Sequence, residues 1–241
     1  FIDQFCAGIN ERTKIIFISH ITSQTALIFP VEEICKIAKS KGIITIIDGA
    51  HAPGHIDLDI TQIGCDYYTG ACHKWMCAPK GSSFLYVAKN FQKDMSPQIM
   101  SWGDEGNDPG PSQFLMDFQW QGTKDMSAFL AIPSAIRFLQ KNKWKEKSVI
   151  SKNLISHLAG HLKDILGTES LFKNENWIGQ MISHPLPMNS PINLKDILWN
   201  DFKIEVPIFE WKKRNFIRVS AHFYNDQKDM DHLIKALKEI F

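Results

Sequence analysis

Apolar residues fall in two patterns along this chain: short unbroken runs in the first half and helix-spaced stripes in the second. Residues 15–19 and 43–47 are runs rich in isoleucine and bounded by polar or glycine residues, which predicts buried strands. Between them Val31, Ile34, Cys35 and Ala38 recur at helical spacing behind Pro30, a residue suited to a first helical turn. Two further strands are expected at residues 67–70 and 83–87. From Ser127 onward the period becomes helical, with residues 128–139 and 149–166 both amphipathic. A strand at 216–220 follows, then a helix from Asp226 that buries Met230, Leu233, Ile234 and Leu237. Residues 174–191 and 200–213 read as short strands and loops. The fold class is therefore α/β. Residues 1–125 supply a mainly parallel sheet with its helices, and residues 126–241 a connecting helix and a smaller α+β unit.

The order of residues at two strand ends is the chemical signal. The second strand stops at Asp48, and an acid at the carboxyl end of a strand sits where α/β sheets bind ligands. The next strand runs into Cys72-His73-Lys74, with Trp75, Met76 and Pro79 crowding the lysine. Such a lysine is expected to lose hydration, which lowers its pKa and raises its share of free amine. An amine able to attack an aldehyde and an acid able to hold a pyridine nitrogen protonated are the two protein groups pyridoxal phosphate needs most. Singly each residue suits a solvated surface; as one ordered segment they point to a cofactor site. His51 and His55 have a spacing that would suit a metal on a helix, but Pro53 and Gly54 interrupt that helix. No metal site is expected, and a metal-dependent hydrolase built on Asp48, His51 and His55 is the weaker reading.

Composition narrows the classes. With 241 residues, 44% of them hydrophobic, the chain can bury a sizeable core. A net charge of +1 offers no basic stripe for nucleic acid, and no apolar stretch is long enough to span a membrane. The cysteines Cys6, Cys35, Cys65, Cys72 and Cys77 are odd in number and lack a secreted spacing, so a reduced, cytoplasmic compartment is expected. The sequence opens at Phe1 without an initiator methionine, so targeting signals are not read from it.

The blocks SHITSQTALIFPVEEI, IIDGAHAPGHIDLDI, YYTGACHKWMCAPKGSSFL, WQGTKDMSAFLAIPSAIRFL and FIRVSAHFYNDQKDMDHL occur in that order across nearly the whole chain. Together they resemble the class V aminotransferases, pyridoxal-phosphate enzymes of fold type I, and within them the isopenicillin N epimerase-like branch. The resemblance implies that Lys74 forms the Schiff base with pyridoxal 5'-phosphate and that Asp48 pairs with the ring nitrogen. It implies that His51 and Ser23 approach the cofactor's phenolic oxygen and that His73 is a phosphate ligand. Thr123 matches a residue that reaches the phosphate of a neighbouring subunit, which implies a homodimer with shared active sites. Arg218 matches the arginine that grips the α-carboxylate of an amino-acid substrate, a task its planar fork suits. Taken alone, Thr123 equally suits a helix cap near Ser127, Arg218 an edge-strand charge, and Trp102 either the substrate pocket or the core.

Two departures matter. A hydroxyl or amide residue usually stands two positions before the histidine of His73-Lys74, and here it is Ala71. Family members also carry a substantial segment before the SHITS block, whereas this sequence opens close to it, so a fragment or a shortened product with an open pocket is expected. The segment Ser190 to Asn215 holds no cysteine, so a cysteine desulfurase of the usual kind is not expected. The resemblance implies an enzyme acting at Cα of an amino acid, of aminotransferase, epimerase or carbon–sulfur lyase type. The alternative is a catalytically inactive remnant that keeps structural or dimerisation roles.

Overall fold

The computed structural model describes residues 1–105, 110 and 112–241. In chain order the first part contains α1 (Ile2–Cys6), β1 (Ile15–Ser19), α2 (Val31–Ser40), β2 (Ile44–Asp48), α3 (Ile60–Ile63), β3 (Tyr67–Ala71), β4 (Ser83–Val87) and α4 (Lys89–Gln92). Next come α5 (Trp102–Glu105), α6 (Gln113–Gln119), α7 (Ser127–Leu130), α8 (Ile132–Lys141) and α9 (Trp144–Leu166). The chain closes with β5 (Met181–Pro185), α10 (Leu194–Phe202), β6 (Ile208–Trp211), β7 (Arg214–Ser220) and α11 (Gln227–Ile240).

Strands β1 to β4 form one sheet in sequence order, parallel from β1 to β3 and antiparallel at β4. Side chains alternate across a strand, so the two faces separate cleanly. Ile16, Ile18, Ile47 and Tyr68 point into a core closed by Val31, Ile34, Cys35 and Ala38 of α2, the stripe expected from spacing. On the opposite face Ile15, Phe17 and Leu85 remain exposed, Phe17 at 69%. Strands β5, β7 and β6 form a second, antiparallel sheet whose core holds Leu158 and Leu162 of α9, Ile217 and Val219 of β7, and Leu233 and Leu237 of α11.

Three expectations are revised. The helix expected at 128–139 is two helices, because Pro133 stands in the first turn of α8, where its missing N–H costs nothing but where it cannot continue α7. Helix α9 begins at Trp144 rather than Val149. Helix α10 occupies residues 194–199, for which no element was expected, and runs into the 200–213 stretch read as short strands and loops; it buries just Leu194 and Leu198, too thin a stripe to stand out.

Helix α11 starts with a reciprocal cap. Asp226 accepts from the backbone N–H groups of Lys228 (2.8 Å) and Asp229 (3.3 Å), and Asp229 accepts from the N–H of Asp226 (3.2 Å). Asp226→Ala should lower stability by about 1 kcal/mol, read from the urea midpoint, whereas Asp226→Asn should keep most of it.

Polar contacts join the two sheet systems. Trp144 Nε1 donates to the Gly54 carbonyl (2.6 Å), Ser183 Oγ to that of Gln24 (2.6 Å), and the Gln180 N–H to His55 Nε2 (2.7 Å). No helix among the described residues is long and apolar enough to cross a membrane.

Candidate active site

Asp48 ends β2 between Ser19 of β1 and Thr69 of β3. Its Oδ1 accepts from the Ala50 N–H (3.0 Å), which bends the chain into the turn that carries His51. One strand over, β3 ends at Ala71 and the next residues are pinned to the start of β4. The N–H groups of Cys72 and His73 both donate to the Ser82 carbonyl, at 3.0 and 3.3 Å, and His73 Nδ1 donates to the same oxygen at 2.8 Å. That leaves Nε2 as the His73 nitrogen available to a ligand.

Lys74 follows, with Nζ 3.2 Å from His51 Nε2. The bulky neighbours do not enclose it as expected, for Trp75 is buried but Lys74 is exposed. Its amine still loses enough water for its pKa to fall below the ordinary lysine value; the Asp48 charge opposes this shift and the Arg218 charge adds to it. His51 is pushed down to about 4, first by burial, then by the Lys74 and Arg218 cations, with Asp48 pulling the other way. It is therefore a neutral imidazole at pH 7. Its other nitrogen, Nδ1, accepts from Trp75 Nε1 at 3.3 Å.

Arg218 reaches the same region from β7. Nη1 donates to the backbone oxygen (2.7 Å) and Oγ (3.1 Å) of Ser23, which ties it to the loop after β1. Its Nε is buried with no partner, and among the described residues it has no ion pair. Desolvation pulls its pKa down. A desolvated guanidinium without a counter-ion is a seat for an anion.

The structure thus links Asp48, His51, Lys74, Ser23 and Arg218 through contacts and charge. Thr123 is exposed in the α6–α7 loop and no described hydrogen bond carries it to that cluster. Nor does it cap α7, because Asp125 accepts from the Ser127 N–H (2.8 Å). Trp102 is 81% exposed, which removes it from the core. Ala71 is buried and brings no hydroxyl. His55 accepts from Gln180 and packs its ring 4.1 Å from that of Trp75, instead of joining Asp48 and His51 around a metal. Among the described residues no group of three acidic, histidine or cysteine side chains could hold an ion.

Sequence spacing missed the packing behind Lys74. His222 lies 147 positions beyond Trp75, yet its Nε2 donates to the Trp75 carbonyl (3.0 Å) and its ring stacks on the indole at 5.8 Å and 18°. Gly54, at φ +79°, passes so close that a Cβ there would sit 2.6 Å from the Trp75 oxygen. His20, which follows the end of β1, forms a buried 2.9 Å pair through Nδ1 with Tyr68 Oη of β3. The one available signal was the histidine of the FIRVSAH block, His222, which carried no spacing rule.

The family description aminotransferase class-V matches residues 2–233. This chain belongs to the class V aminotransferase family. It is 34% identical to the isopenicillin N epimerase of Amycolatopsis lactamdurans, a match covering 99% of this chain and 63% of that protein. It is 28% identical to the L-cysteine desulfhydrase of Arabidopsis thaliana, covering 96% of this chain and 55% of that one. The fold matches the apo cysteine desulfurase of Thermococcus onnurineus NA1 with a TM-score of 0.81 and 21% identity, over 94% of this chain and 59% of that chain. The fold is therefore type I, and this class V chain represents part of it. It spans about three fifths of the length of the relatives it matches.

Pyridoxal phosphate is the cofactor of this family. The residues fit it on the ring side, with an acid at a strand end and a partly desolvated amine. On the phosphate side the fit is thinner, since His73 offers a nitrogen but Ala71 offers nothing.

Proposed function

We propose that this chain carries the catalytic half of a pyridoxal-phosphate enzyme that labilises a bond at Cα of an amino acid. The observation that carries the reading is the convergence of Asp48, His51, Lys74 and Arg218 at one sheet end, with the Lys74 amine partly stripped of water. When bound, the cofactor supplies an electron sink. The protein supplies the rest. Asp48, fixed by the Ala50 N–H, would serve as the counter-charge to a protonated ring nitrogen. Lys74 Nζ is the amine that would hold the cofactor's aldehyde carbon, and as a free amine it would take and return the proton at Cα. His51 presents Nε2 beside it, and His73 presents Nε2 to a phosphate. Arg218 holds the α-carboxylate with its unpartnered edge while Ser23 anchors the other edge.

Arg218→Ala should raise the amino-acid KM by about 100-fold, the loss of two charge-assisted hydrogen bonds, and leave cofactor capture largely intact. Steady-state kinetics with capture measured alongside separates the two; an unchanged KM would remove Arg218 from the carboxylate site.

Epimerisation and carbon–sulfur elimination can both open with proton removal at Cα, relatives are named as an epimerase and a desulfhydrase, and nothing in this site selects between the two outcomes. A desulfurase is the least favoured outcome, because the stretch from Ser190 to Asn215 has no cysteine. Thr123 acts across a dimer interface in this reading, which accounts for its distance from the cluster in a single chain. A second reading, a silent remnant of the fold, is favoured by buried Ala71 alone. The deciding test is addition of pyridoxal phosphate, borohydride reduction and peptide mapping. A modified Lys74 supports the enzyme; a folded chain that yields none supports the remnant.

A further inference from the structure

We propose that Trp75 is a positioning residue whose indole N–H locks His51 as the Nε2–H tautomer, so that the Lys74 amine is held as a hydrogen-bond acceptor in its neutral, nucleophilic form. The inference rests on the proposed reading of Lys74 as the aldehyde-capturing amine.

Hydrogen-bond direction fixes the tautomer. An indole nitrogen can only donate. Since Trp75 Nε1 points at His51 Nδ1 at 3.3 Å, Nδ1 must present a lone pair. A neutral imidazole carries one proton, which then resides on Nε2 and is aimed at Lys74 Nζ at 3.2 Å. An ammonium group has three donors and no lone pair, so an N–H from His51 opposes it and is satisfied only by the free amine. The doubly protonated ring is disfavoured for the same reason, because it would set Nδ1–H against the indole N–H.

The surroundings keep the donor in place. Trp75 is buried, its ring packs 4.1 Å from that of His55 and 5.8 Å from that of His222, and its carbonyl accepts from His222. Gly54 leaves the space its backbone requires. Of the charges acting on Lys74, Asp48 favours the ammonium and Arg218 the free amine, while His51, His55 and His222 are all held neutral by burial. Loss of hydration already lowers the Lys74 pKa, the nearby anion and cation pull in opposite directions, and the directed donor adds to the free-amine side. The same Trp75 that packs the two sheet systems together therefore sets the chemistry of the residue before it.

The test uses the cofactor-free chain. Nitrogen-15 NMR of the His51 ring reads the tautomer, and competitive acetylation across pH, followed by mass spectrometry of the Lys74 peptide, reads the share of free amine. Wild type should show Nε2–H. Trp75→Phe keeps the packing ring but not the donor; His51 should then populate both tautomers, and acetylation of Lys74 at pH 7.5 should fall about tenfold, the worth of one hydrogen bond. In a His51→Gln background, whose amide can donate to Lys74 unaided, Trp75→Phe should change nothing. An Nδ1–H tautomer in wild type, or an unchanged Lys74 profile in Trp75→Phe, overturns the proposal. The wild-type tautomer needs neither a mutant that folds nor a bound cofactor. Failure here therefore leaves the trapping of Lys74 untouched, and failure of trapping leaves the tautomer readable.

Discussion

Lys74→Ala should eliminate borohydride-stable modification of the chain by pyridoxal phosphate and reduce any amino-acid turnover by about 10^5-fold. The magnitude follows from what a positioned amine contributes: one held beside its target acts at an effective concentration that no solution amine reaches. In this chain the positioning is explicit. The loop is pinned by two N–H groups on the Ser82 carbonyl, and Nζ is held 3.2 Å from His51. Lys74→Arg is the sharper control, because it keeps a long basic side chain at the position while removing the nucleophilic amine. Both variants should fold, since Lys74 is exposed and its contacts are few. A trapped adduct on some other lysine, or turnover that survives in either variant, would mean that the strand-end cluster is not the site.

Acid should begin to destabilise the chain from about pH 6.5 downward, before its carboxylates titrate. His20 and His55 are buried, and burial pushes their pKa values down from 6.5 to about 4 and about 3, with neighbouring histidines adding to the shift at His55. Above pH 6.5 both rings are neutral in the folded and unfolded chains and contribute no difference. Between 6.5 and the folded values only the unfolded chain takes up the proton, so stability falls as pH falls, by about 1.4 kcal/mol per pH unit for each ring. Two units of acid therefore remove about 5 kcal/mol through these two rings, a large part of the stability of an ordinary domain. Urea midpoints at pH 7.5, 6.5, 5.5 and 4.5 would show it. His20→Asn should flatten the slope by one ring's share, and a flat dependence between pH 6.5 and 4.5 would contradict the burial of both.

What the sequence made legible is what depends on neighbours along the chain. Strand β1 and the four buried residues of α2 follow from local period, and the ends of β2 and β3 follow because a buried apolar run stops where the polar chemistry begins. Asp48, His51, His73 and Lys74 sit within 27 residues of one another on two adjacent strand ends, and their approach was readable for that reason. Arg218 was recognised only through the family pattern, since no local rule separates it from an edge-strand charge. Its bond to Ser23 spans 195 positions. The contacts of Trp75 were hidden for the same reason: its buried setting comes from His222 and from the Gly54 turn, and neither lies at a helical or strand period from it. Trp102 shows the converse, for aromatic character alone gave no means to tell a packed ring from one standing in water.

The bare side of the first sheet bears on how this molecule behaves at the bench. Ile15 and Phe17 lie on β1, and Leu85 on β4, the two strands that have a partner on one side only among the described residues. An apolar face flanked by open backbone edges is a template for adhesion between copies. Concentrated stocks should therefore gain mass with rising protein concentration and with sulfate, which strengthens apolar burial, and should disperse when arginine or a mild detergent is added. A dimer built through Thr123 would instead have a fixed stoichiometry and respond to cofactor. Sizing at several concentrations, with and without pyridoxal phosphate, tells a specific pair from a sticky sheet.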